Sequence, residues 1–243
     1  MSTADPSQRA TVLITGGASG IGFSIAKAVT ARGARAVLWD VDGARLAEAA
    51  GSLPDSHGVE VDIADQRAVA RAIGQGPAPT HLVNNAGVLG PRMAWDAAEA
   101  EAIDRLLAVN LRGTFLVTSA FLQARSDHPD AAILNISSIA GFNGGAPGQA
   151  VYGATKGAML AMTQAMARDL APALRVNAIA PGIIDTEIQK AIFADRAALE
   201  ATTSAIPLAR LGQPDEVAQA AAWLLFDATY VTGEIMRVAG GRK

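Results

Sequence analysis

The stretch Thr11-Val12-Leu13-Ile14-Thr15-Gly16-Gly17-Ala18-Ser19-Gly20-Ile21-Gly22 decides the fold, because a β-branched run passes directly into a glycine-rich turn and a helical pattern follows. Glycines let the backbone turn sharply and let a pyrophosphate approach its N–H groups, and the positive end of the following helix favours the anion. With 24 glycines in the chain, an ordinary strand-to-helix turn is the alternative. We predict dinucleotide contacts at Gly16, Ser19, Gly20, Ile21 and Gly22.

Short β-branched runs alternate with longer alanine-rich helical patterns along the rest of the chain. Strands are predicted at residues 11–15, 36–39, 58–61, 81–84, 132–137, 175–178 and 234–238, and helices at 20–32, 43–50, 66–73, 96–123, 152–170 and 214–226. Repeated β-α-β order is typical of a parallel sheet covered by helices, and continuous apolar strands suit burial on both faces. We therefore expect one α/β domain over residues 1–243.

Two segments are expected to differ from this regular core. Residues 1–9 are polar, and we expect them to be flexible. Residues 183–210 are irregular in pattern and begin with two isoleucines. Because a weakly structured segment of this length in a compact domain usually has a function, we predict a substrate lid there over a partly apolar pocket.

Composition excludes several classes of function. The net charge is −3 and basic residues form no run, so neither nucleic acid nor an anionic membrane is an expected partner. The chain has no cysteine, which excludes disulfides, thiolate zinc sites and cysteine nucleophiles, and its three histidines lack any metal-binding spacing. No apolar stretch of membrane-spanning length lacks glycine, proline or charge. We expect no metal and a cytoplasmic protein.

An acidic residue, Asp40, ends the second predicted strand. A carboxylate at this position can accept hydrogen bonds from the adenosine ribose hydroxyls and would repel a 2′-phosphate. Asp42 adds to that repulsion, and Val41 rather than a basic residue follows Asp40. The alternative is a solvated acid at a strand end. We interpret the pattern as a preference for NAD(H) over NADP(H).

Tyr152 and Lys156 lie one helical turn apart, so that both side chains face the same way. A free tyrosine has a pKa near ~10, and an adjacent cation lowers it by roughly 1–3 units. The phenol would then come closer to the pH at which general acid–base catalysis is efficient. Taken alone, the pair is also compatible with an ordinary surface pair on a helix.

Further motifs follow in order along the chain: Asp62-Ile63, Asn84-Asn85-Ala86-Gly87, Asn110, Ser138, Tyr152 with Lys156, and Pro181-Gly182. Together with the glycine-rich turn, they resemble the motifs of the classical short-chain dehydrogenase/reductase family. The resemblance extends from about Thr11 to Gly241. It implies a Rossmann-type doubly wound sheet of about seven parallel strands, a bound nicotinamide cofactor, and a homotetramer or homodimer built through the long helices at residues 96–123 and 152–170.

The resemblance also implies roles for individual residues. Asn110, Ser138, Tyr152 and Lys156 match a catalytic tetrad in which the tyrosine exchanges a proton, the serine binds the substrate oxygen, the lysine holds the nicotinamide ribose and the asparagine supports a water relay. Further cofactor contacts are implied at Asp62, Ile63, Asn85, Ala86, Gly87, Tyr152, Lys156, Pro181, Gly182, Ile184 and Thr186. Substrate contacts are expected at Ser138, Gln149, Tyr152 and Ile183.

Alternatives stay open at two of these positions, and the chain departs from the family pattern at one place. Asn110 could stabilise a helix kink, and Ser137 is a rival to Ser138. Ser138 and Tyr152 are separated by one residue more than is usual in the family. The extra residue falls in the glycine-rich stretch 141–148, which borders the predicted substrate pocket.

We predict an NAD(H)-dependent dehydrogenase that acts on a small secondary alcohol or its ketone. Because Gly148-Gln149-Ala150 before Tyr152 resembles sequences of β-ketoacyl reductases, reduction of a 3-oxoacyl thioester, carried by acyl carrier protein or coenzyme A, is the alternative. A non-catalytic dinucleotide-binding regulator on the same fold is a third possibility.

Overall fold

The computed structural model describes residues 9–186 and 196–243, with side chains described except at 196–199. Seven parallel strands form one sheet in the order β3-β2-β1-β4-β5-β6-β7. The strands are β1 (Thr11–Thr15), β2 (Arg35–Asp40), β3 (Ser56–Glu60), β4 (His81–Asn84), β5 (Ala132–Ile136), β6 (Arg175–Pro181) and β7 (Ile235–Val238). The predicted α/β doubly wound sheet of seven parallel strands is therefore confirmed.

Helices connect the strands and cover both faces of the sheet. They are α1 (Gly20–Ala31), α2 (Gly43–Ser52), α3 (Gln66–Ala72), α4 (Ala100–Leu107), α5 (Thr114–Ala124), α6 (Ala140–Asn143), α7 (Ala150–Asp169), α8 (Arg196–Ser204) and α9 (Pro214–Phe226). Successive side chains of a strand point to opposite faces, so Val12 and Ile14 pack in the core under α1 and α9, while Leu13 packs in the core on the other face.

The order in which strands are added reverses between β1 and β4: β2 and β3 lie on one side of β1, and β4 to β7 lie on the other. In an open parallel sheet such a reversal leaves a crevice beyond the carboxyl ends of the two strands, and ligands bind there. The glycine-rich turn follows β1 and the Asn85-Ala86-Gly87 segment follows β4. The two motifs therefore meet at the crevice.

The helix predicted at residues 96–123 is interrupted. It begins at Ala100, and a π-helical segment, Ala108–Gly113, separates α4 from α5. A π-helical turn holds an additional residue and shifts the helix faces relative to each other, which a periodicity reading of the sequence does not detect. The short helix α6 was also not predicted, because four residues carry no measurable helical period.

The helical stretch Ala100–Ala124 is the only one among the described residues with the length and hydropathy of a membrane span. Of its most apolar window, 44% is buried inside the molecule. It also contains the fully buried Phe121, which belongs to the core between helices and sheet. Core helices of globular proteins pass the same test.

Two sequence predictions reach beyond the described part of the chain. Of the segment expected to be flexible, residues 1–8 lie outside the described residues. Of the predicted lid, residues 187–195 do so as well. The start of the lid is anchored, because the Gly212 N–H donates to the Ile183 carbonyl at 3.0 Å and the Asp185 N–H donates to the Gly212 carbonyl at 2.8 Å.

Candidate active site

A cavity of about 500 Å³ runs along the carboxyl ends of the strands. At one end its wall includes the glycine-rich turn, Asp40 and Asp62, and we call this the cofactor end. At the other its wall includes Arg92, Gln149 and Arg242, and we call this the substrate end. Ser138, Tyr152 and Lys156 lie in the wall of the same cavity.

Gly16 and Gly22 of the glycine-rich turn are packed so closely that side chains would not fit. A Cβ atom on Gly22 would lie 2.1 Å from the Gly16 carbonyl oxygen, and one on Gly16 would lie 2.9 Å from the Asn85 amide nitrogen. Gly16 and Gly20 have φ values of 63° and 53°, which glycine adopts without strain. Gly22 therefore does not line the cavity but allows the turn to close.

The N-terminus of α1 is open to an anion. Ser19 is the residue before the helix, and its side chain makes no capping hydrogen bond to the first-turn N–H groups. The first turn also holds no acidic residue. The unpaired N–H groups and the positive end of the helix dipole suit a pyrophosphate, so the turn fits the dinucleotide that the sequence predicts.

Thr15 and Asn85 fasten the glycine-rich turn to the segment after β4. The Thr15 hydroxyl accepts hydrogen bonds from the N–H groups of Asn85 and Ala86, both at 3.1 Å. The Asn85 amide donates to the carbonyls of Thr15 and Gly16, both at 3.0 Å. Since Thr15 is buried, these bonds are shielded from water and hold the two motifs in one arrangement.

Asp40 sits at the carboxyl end of β2 and lines the cavity. One carboxylate oxygen accepts from the Ala18 N–H at 3.0 Å, and the other accepts from the Asp42 N–H at 3.1 Å. The carboxylate is thus fixed against the glycine-rich turn rather than free in solvent. Each oxygen retains a lone pair that a ribose hydroxyl can use.

Asp62 and Ile63 form the wall next to Asp40. Asp62 accepts from the Ala64 N–H at 2.9 Å, and its other oxygen lies 3.4 Å from the Arg105 guanidinium. Ile63 is buried and provides an apolar surface. Arg105, which reaches this site from α4, was not predicted, because a single arginine in a helix carries no motif.

Tyr152 and Ser138 face each other across the centre of the cavity. Burial raises the pKa of the Tyr152 phenol above its ordinary value, while hydrogen bonding with the Ser138 hydroxyl lowers it. The Ser138 hydroxyl also accepts from the Ala140 N–H at 3.1 Å, so a helix-forming backbone fixes it. The sequence predicted a lowered phenol pKa, and in this structure that prediction is wrong because burial outweighs the neighbouring groups.

Lys156 lies one helical turn after Tyr152 on α7 and is buried. Its ammonium donates to the Ile136 carbonyl at 2.9 Å and lies 5.9 Å from the centre of the Tyr152 ring. Burial lowers the pKa of Lys156 from 10.5 to about 8. A Cβ on Gly87 would lie 3.4 Å from the ammonium, which shows how closely the segment after β4 approaches it.

Asn110 lies in the π-helical segment, is completely buried and does not line the cavity. Its side chain clamps the backbone of Val88 on both sides, accepting from the Val88 N–H and donating to the Val88 carbonyl, each at 2.8 Å. It also donates to the Thr155 hydroxyl at 3.2 Å. Its side chain is thus committed to protein groups and positions the segment after β4 against α7.

The two neighbouring serines have different surroundings. The Ser137 hydroxyl is buried and donates to the Lys156 carbonyl at 2.8 Å, which ties β5 to α7. Ser138 is less buried and is the one that interacts with the phenol. The geometry therefore places Ser138, and not Ser137, beside Tyr152.

The structure brings nearly all predicted site residues to one cavity. The predicted residues that line it are Gly16, Ser19, Gly20, Ile21, Asp40, Asp62, Ile63, Asn85, Ala86, Gly87, Ser138, Gln149, Tyr152, Lys156, Pro181, Gly182, Ile183, Ile184 and Thr186. Gly22 and Asn110 do not line it and act through their packing and hydrogen bonds. The described residues contain no group of potential metal ligands.

Comparison with known proteins agrees with this geometry. A family model described as enoyl-(acyl carrier protein) reductase matches residues 16–243. The chain is 34% identical over 242 residues to the 3-oxoacyl-(acyl-carrier-protein) reductase of Chlamydia trachomatis, with 95% of this chain and 96% of that protein covered. It is 35% identical over 244 residues to 2-(S)-hydroxypropyl-CoM dehydrogenase 3 of Xanthobacter autotrophicus, with 95% of both covered.

One solved structure is similar to this chain over nearly the whole length of both proteins. The crystal structure of a 3-ketoacyl-(acyl-carrier-protein) reductase from Brucella melitensis complexed with NADH superposes with a TM-score of 0.86 at 33% identity, covering 96% of this chain and 98% of that one. Fold and site together define a dinucleotide-binding oxidoreductase that acts on an alcohol or ketone. The chain belongs to the classical short-chain dehydrogenase/reductase family.

Proposed function

We propose that this protein is an NAD(H)-dependent dehydrogenase that interconverts a secondary alcohol and its ketone, with Tyr152 as the general acid or base. The observation that carries the proposal is the shared cavity. The phenol of Tyr152, the hydroxyl of Ser138 and the ammonium of Lys156 lie in one wall, and the same cavity continues to the glycine-rich turn.

Tyr152 and Ser138 act on the substrate oxygen in this proposal. In reduction the phenol donates a proton to the developing alkoxide, and in oxidation the phenolate removes the proton of the alcohol. The Ser138 hydroxyl is held by the Ala140 N–H and donates to the same oxygen, which stabilises its negative charge. The nicotinamide, when bound, exchanges a hydride with the substrate carbon.

Lys156 and Asn110 hold this arrangement in place. Lys156 is fixed through its bond to the Ile136 carbonyl and lies beside Gly87, and it would hold the nicotinamide ribose. Its lowered pKa of about 8 lets it release and recover a proton near neutral pH. Asn110 is a positioning residue that fixes Val88 and, through it, the wall on which Gly87 stands.

The preference for NAD(H) over NADP(H) is the finer part of the proposal. Asp40 lines the cofactor end with its carboxylate pinned by the Ala18 N–H, so it cannot easily turn away from a ribose. Among the described lining residues, the basic group near it is Arg105, which is paired with Asp62. A 2′-phosphate would meet a fixed carboxylate without an available counter-charge.

Replacing Tyr152 by phenylalanine tests the catalytic role. We expect kcat to fall by about 10³-fold, within the range for a lost general acid–base, while the Kd for NADH stays within about twofold. The chain offers a matched control, because its other tyrosine, Tyr230, is fully exposed and outside the cavity. The Tyr230→Phe enzyme should match the wild type, and a fully active Tyr152→Phe enzyme would refute the assignment.

Steady-state assays of the wild type with both cofactors test the preference. We expect kcat/KM to be at least about tenfold higher with NAD(H) than with NADP(H), which corresponds to ~1.4 kcal/mol. Equal or reversed values would remove the role proposed for Asp40 and leave the proposal for Tyr152 intact.

Reduction of a 3-oxoacyl thioester is the second candidate. The relatives from Chlamydia trachomatis and Brucella melitensis bear that function in their names, and Gln149, from the stretch that suggested it, lines the substrate end. Assays with acetoacetyl-CoA and with an acetoacetyl carrier protein distinguish the two candidates. Turnover of either thioester well above that of simple ketones would favour the reductase.

The assembly and the cellular compartment belong to the same proposal. We propose a homodimer or homotetramer through α5 and α7, supported by the exposed Phe115 on α5 beside Met166 and Leu170 on α7. Light scattering on the purified protein measures its mass, and a monomer would contradict this. We further propose a cytoplasmic protein without nucleic-acid or membrane partners, which fractionation of producing cells would test.

A further inference from the structure

Charge is distributed unequally between the two ends of the cavity. At the cofactor end, the acids Asp40 and Asp62 line the wall, and Arg105 is paired with Asp62. At the substrate end, Arg92 and Arg242 line the wall, and no described acid lines it near them. The substrate end is therefore positive without a matching acid in the described part of the cavity.

Arg242 is held at the cavity by its backbone. Gly240 and Gly241 have φ values of 61° and 88°, which turn the chain sharply before it, and the Arg242 N–H donates to the Ala239 carbonyl at 3.1 Å. Ala239 packs against Gly182 so closely that a Cβ on Gly182 would lie 2.8 Å from its Cα. The turn that carries Arg242 is thus fixed against the cavity wall formed by β6.

The same segment is also tied to the chain that follows Ser138. The Asn143 side chain donates to the Lys243 carbonyl at 3.0 Å, and Asn143 ends the short helix α6 that begins two residues after Ser138. Residues 239–243 therefore lie between Gly182 and Asn143. Arg242 lines the same cavity as Ser138 and Tyr152.

The guanidinium of Arg242 holds an unsatisfied donor. Its Nη1 atom is buried and has no hydrogen-bond partner among the described residues. A guanidinium offers five N–H donors and accepts none, so a buried nitrogen without an acceptor costs free energy. An unpaired buried group of this kind in a native structure calls for a ligand or another explanation.

Arg175 is an arginine with a purely structural role, and its hydrogen bonds can be compared with those of Arg242. Its two terminal nitrogens donate to the carbonyls of Leu224, Leu225 and Ala228 at distances between 2.7 and 3.0 Å. These carbonyls lie at or just after the C-terminus of α9, where a cation is favoured. Within residues 9–186 and 196–243, the Nη1 atom of Arg242 has no such acceptor, although Arg242 too is partly buried.

Arg92 adds a second cation on the opposite rim. The Met93 N–H donates to the Gly148 carbonyl at 2.9 Å, and a Cβ on Gly148 would lie 3.0 Å from the Cβ of Arg92. The segment after β4 is thereby attached to the glycine-rich stretch 141–148 that carries the extra residue. Arg92 is exposed, lines the cavity and forms no ion pair with a described residue.

We propose that the substrate of this enzyme carries an anionic group, a carboxylate, sulfonate or phosphate, whose oxygens bind the Arg242 guanidinium while Arg92 attracts them from the rim. A guanidinium suits these groups because two parallel N–H donors match two oxygens. The inference rests on the proposed dehydrogenase function and specifies its substrate as an anionic ketone or hydroxy compound.

Matched pairs of ketones test it. Levulinate is compared with methyl levulinate, acetonylsulfonate with acetone, and dihydroxyacetone phosphate with dihydroxyacetone, so that the three arms distinguish the three anions. We expect at least one anion to have a kcat/KM about tenfold or more above that of its neutral partner, as expected for a charged hydrogen bond. Equal values in all three pairs would overturn the proposal.

The Arg242→Met variant locates the effect. We expect KM for the preferred anion to rise by about 10–100-fold, with KM for the neutral partner and the Kd for NADH within about twofold of the wild type. Arg92→Met should raise KM less, and only at low salt. Arg67→Met, the same change at an exposed position outside the cavity, should have no effect. Weaker NADH binding by Arg242→Met, or equal losses for anion and neutral partner, would overturn the proposal.

Calorimetry separates this inference from the proposed function. Titration of levulinate, acetonylsulfonate and dihydroxyacetone phosphate into the NAD-loaded enzyme requires no turnover. If the wild type turns over no ketone, the dehydrogenase proposal fails. Anion binding by the wild type that is lost in Arg242→Met would still support the arginine site, and an absence of anion binding would overturn it.

Discussion

The two ends of the cavity are built in different ways. At the cofactor end, backbone geometry shapes the wall: the glycine-rich turn is packed against Thr15 and Asn85, and the N-terminus of α1 has no side-chain cap. At the substrate end, side chains from segments far apart in sequence meet, with Arg92, Gln149 and Arg242 as examples. Binding by backbone geometry requires particular residues in a short stretch, whereas binding by converging side chains leaves no local pattern.

Packing shows the same contrast. At the cofactor end a Cβ on Gly22 would lie 2.1 Å from a backbone oxygen. At the substrate end Gly144 has no atom within 4 Å of a Cβ, and its φ of 82° reflects only a turn after α6. Gly22 therefore tolerates no additional atom, while the stretch 141–148 has space around Gly144, although a Cβ on Gly141 would lie 2.8 Å from the Lys156 backbone. One extra residue there is compatible with Tyr152 and Ser138 facing each other.

The largest effect is expected from Gly22→Ala, which should distort the glycine-rich turn at the cofactor end and leave the substrate end unchanged. The new methyl group must displace the Gly16 carbonyl, and overpacking of this severity costs about 3 kcal/mol or more. The Kd for NADH should rise by about 100-fold or more. Fluorescence titration with NADH measures the affinity, and circular dichroism measures the melting temperature.

Two alanine variants serve as controls for Gly22→Ala. Gly51→Ala lies in α2 with open space around it, so it should leave binding and stability unchanged or slightly improve stability. Gly144→Ala should cost about 1 kcal/mol of stability because of its positive φ and leave NADH binding unchanged. If Gly144→Ala weakened NADH binding as much as Gly22→Ala, the contrast between the two ends would be wrong.

Ser138→Ala and Ser137→Ala form a matched pair that separates chemistry from packing at the centre of the cavity. Removing the Ser138 hydroxyl should lower kcat by about 10²-fold with NADH affinity unchanged, since a donor to the substrate oxygen is lost. Removing the Ser137 hydroxyl should cost about 1 kcal/mol of stability through its bond to the Lys156 carbonyl. Steady-state kinetics measure kcat of both variants, and urea unfolding measures their stability. A larger kcat loss for Ser137→Ala than for Ser138→Ala would reverse the assignment.

The sequence predicted the fold well because its signals are local. Strand β1, the glycine-rich turn and α1 follow each other without a gap, and Asp40 ends β2 as expected. The alternation of strands and helices predicted a parallel sheet, and seven parallel strands are found. The π-helical segment Ala108–Gly113 was not predicted, because it shifts the helical period within a continuous helix, and the Asn110 bonds to Val88 within it join residues far apart in sequence.

The candidate site was predicted only where a motif exists. Ser138, Tyr152 and Lys156 follow fixed spacings, and the structure brings all three to the cavity. Arg92, Arg105 and Arg242 were not predicted, since nothing in the sequence distinguishes them from other arginines. Their place is set by tertiary contacts, such as that of Gly182 with Ala239, which no pattern within one segment can reveal.

Electrostatics could not be predicted from spacing at all. Because Tyr152 and Lys156 are one helical turn apart, the sequence indicated that the lysine cation would lower the pKa of the phenol. In the structure burial dominates both groups, raising the pKa of Tyr152 and lowering that of Lys156. Burial depends on everything that surrounds the two side chains, including β5 and the segment after β4, and so it is a property of the folded chain.

Lys156 lies where the two ends meet, and its buried charge is expected to change the pH dependence of stability rather than activity. In the folded protein the pKa of Lys156 is about 8, whereas in the unfolded chain it is 10.5. Between these values the unfolded chain holds a proton that the folded protein has released, so stability rises with pH. The gain is on the order of 1 kcal/mol per pH unit.

The Lys156→Met variant isolates this contribution. From pH 8 to pH 10 the wild type should gain stability relative to Lys156→Met, and the difference should stop growing above pH 10.5. Tyr152 acts with the opposite sign only above its ordinary pKa of 10.0, because burial raises that value, and so it leaves this window undisturbed. Lys27→Met, which removes an exposed lysine paired with Asp215, should show the slope of the wild type. Urea unfolding at each pH measures the difference, and parallel curves for the wild type and Lys156→Met would mean that Lys156 keeps its full charge where the two ends meet.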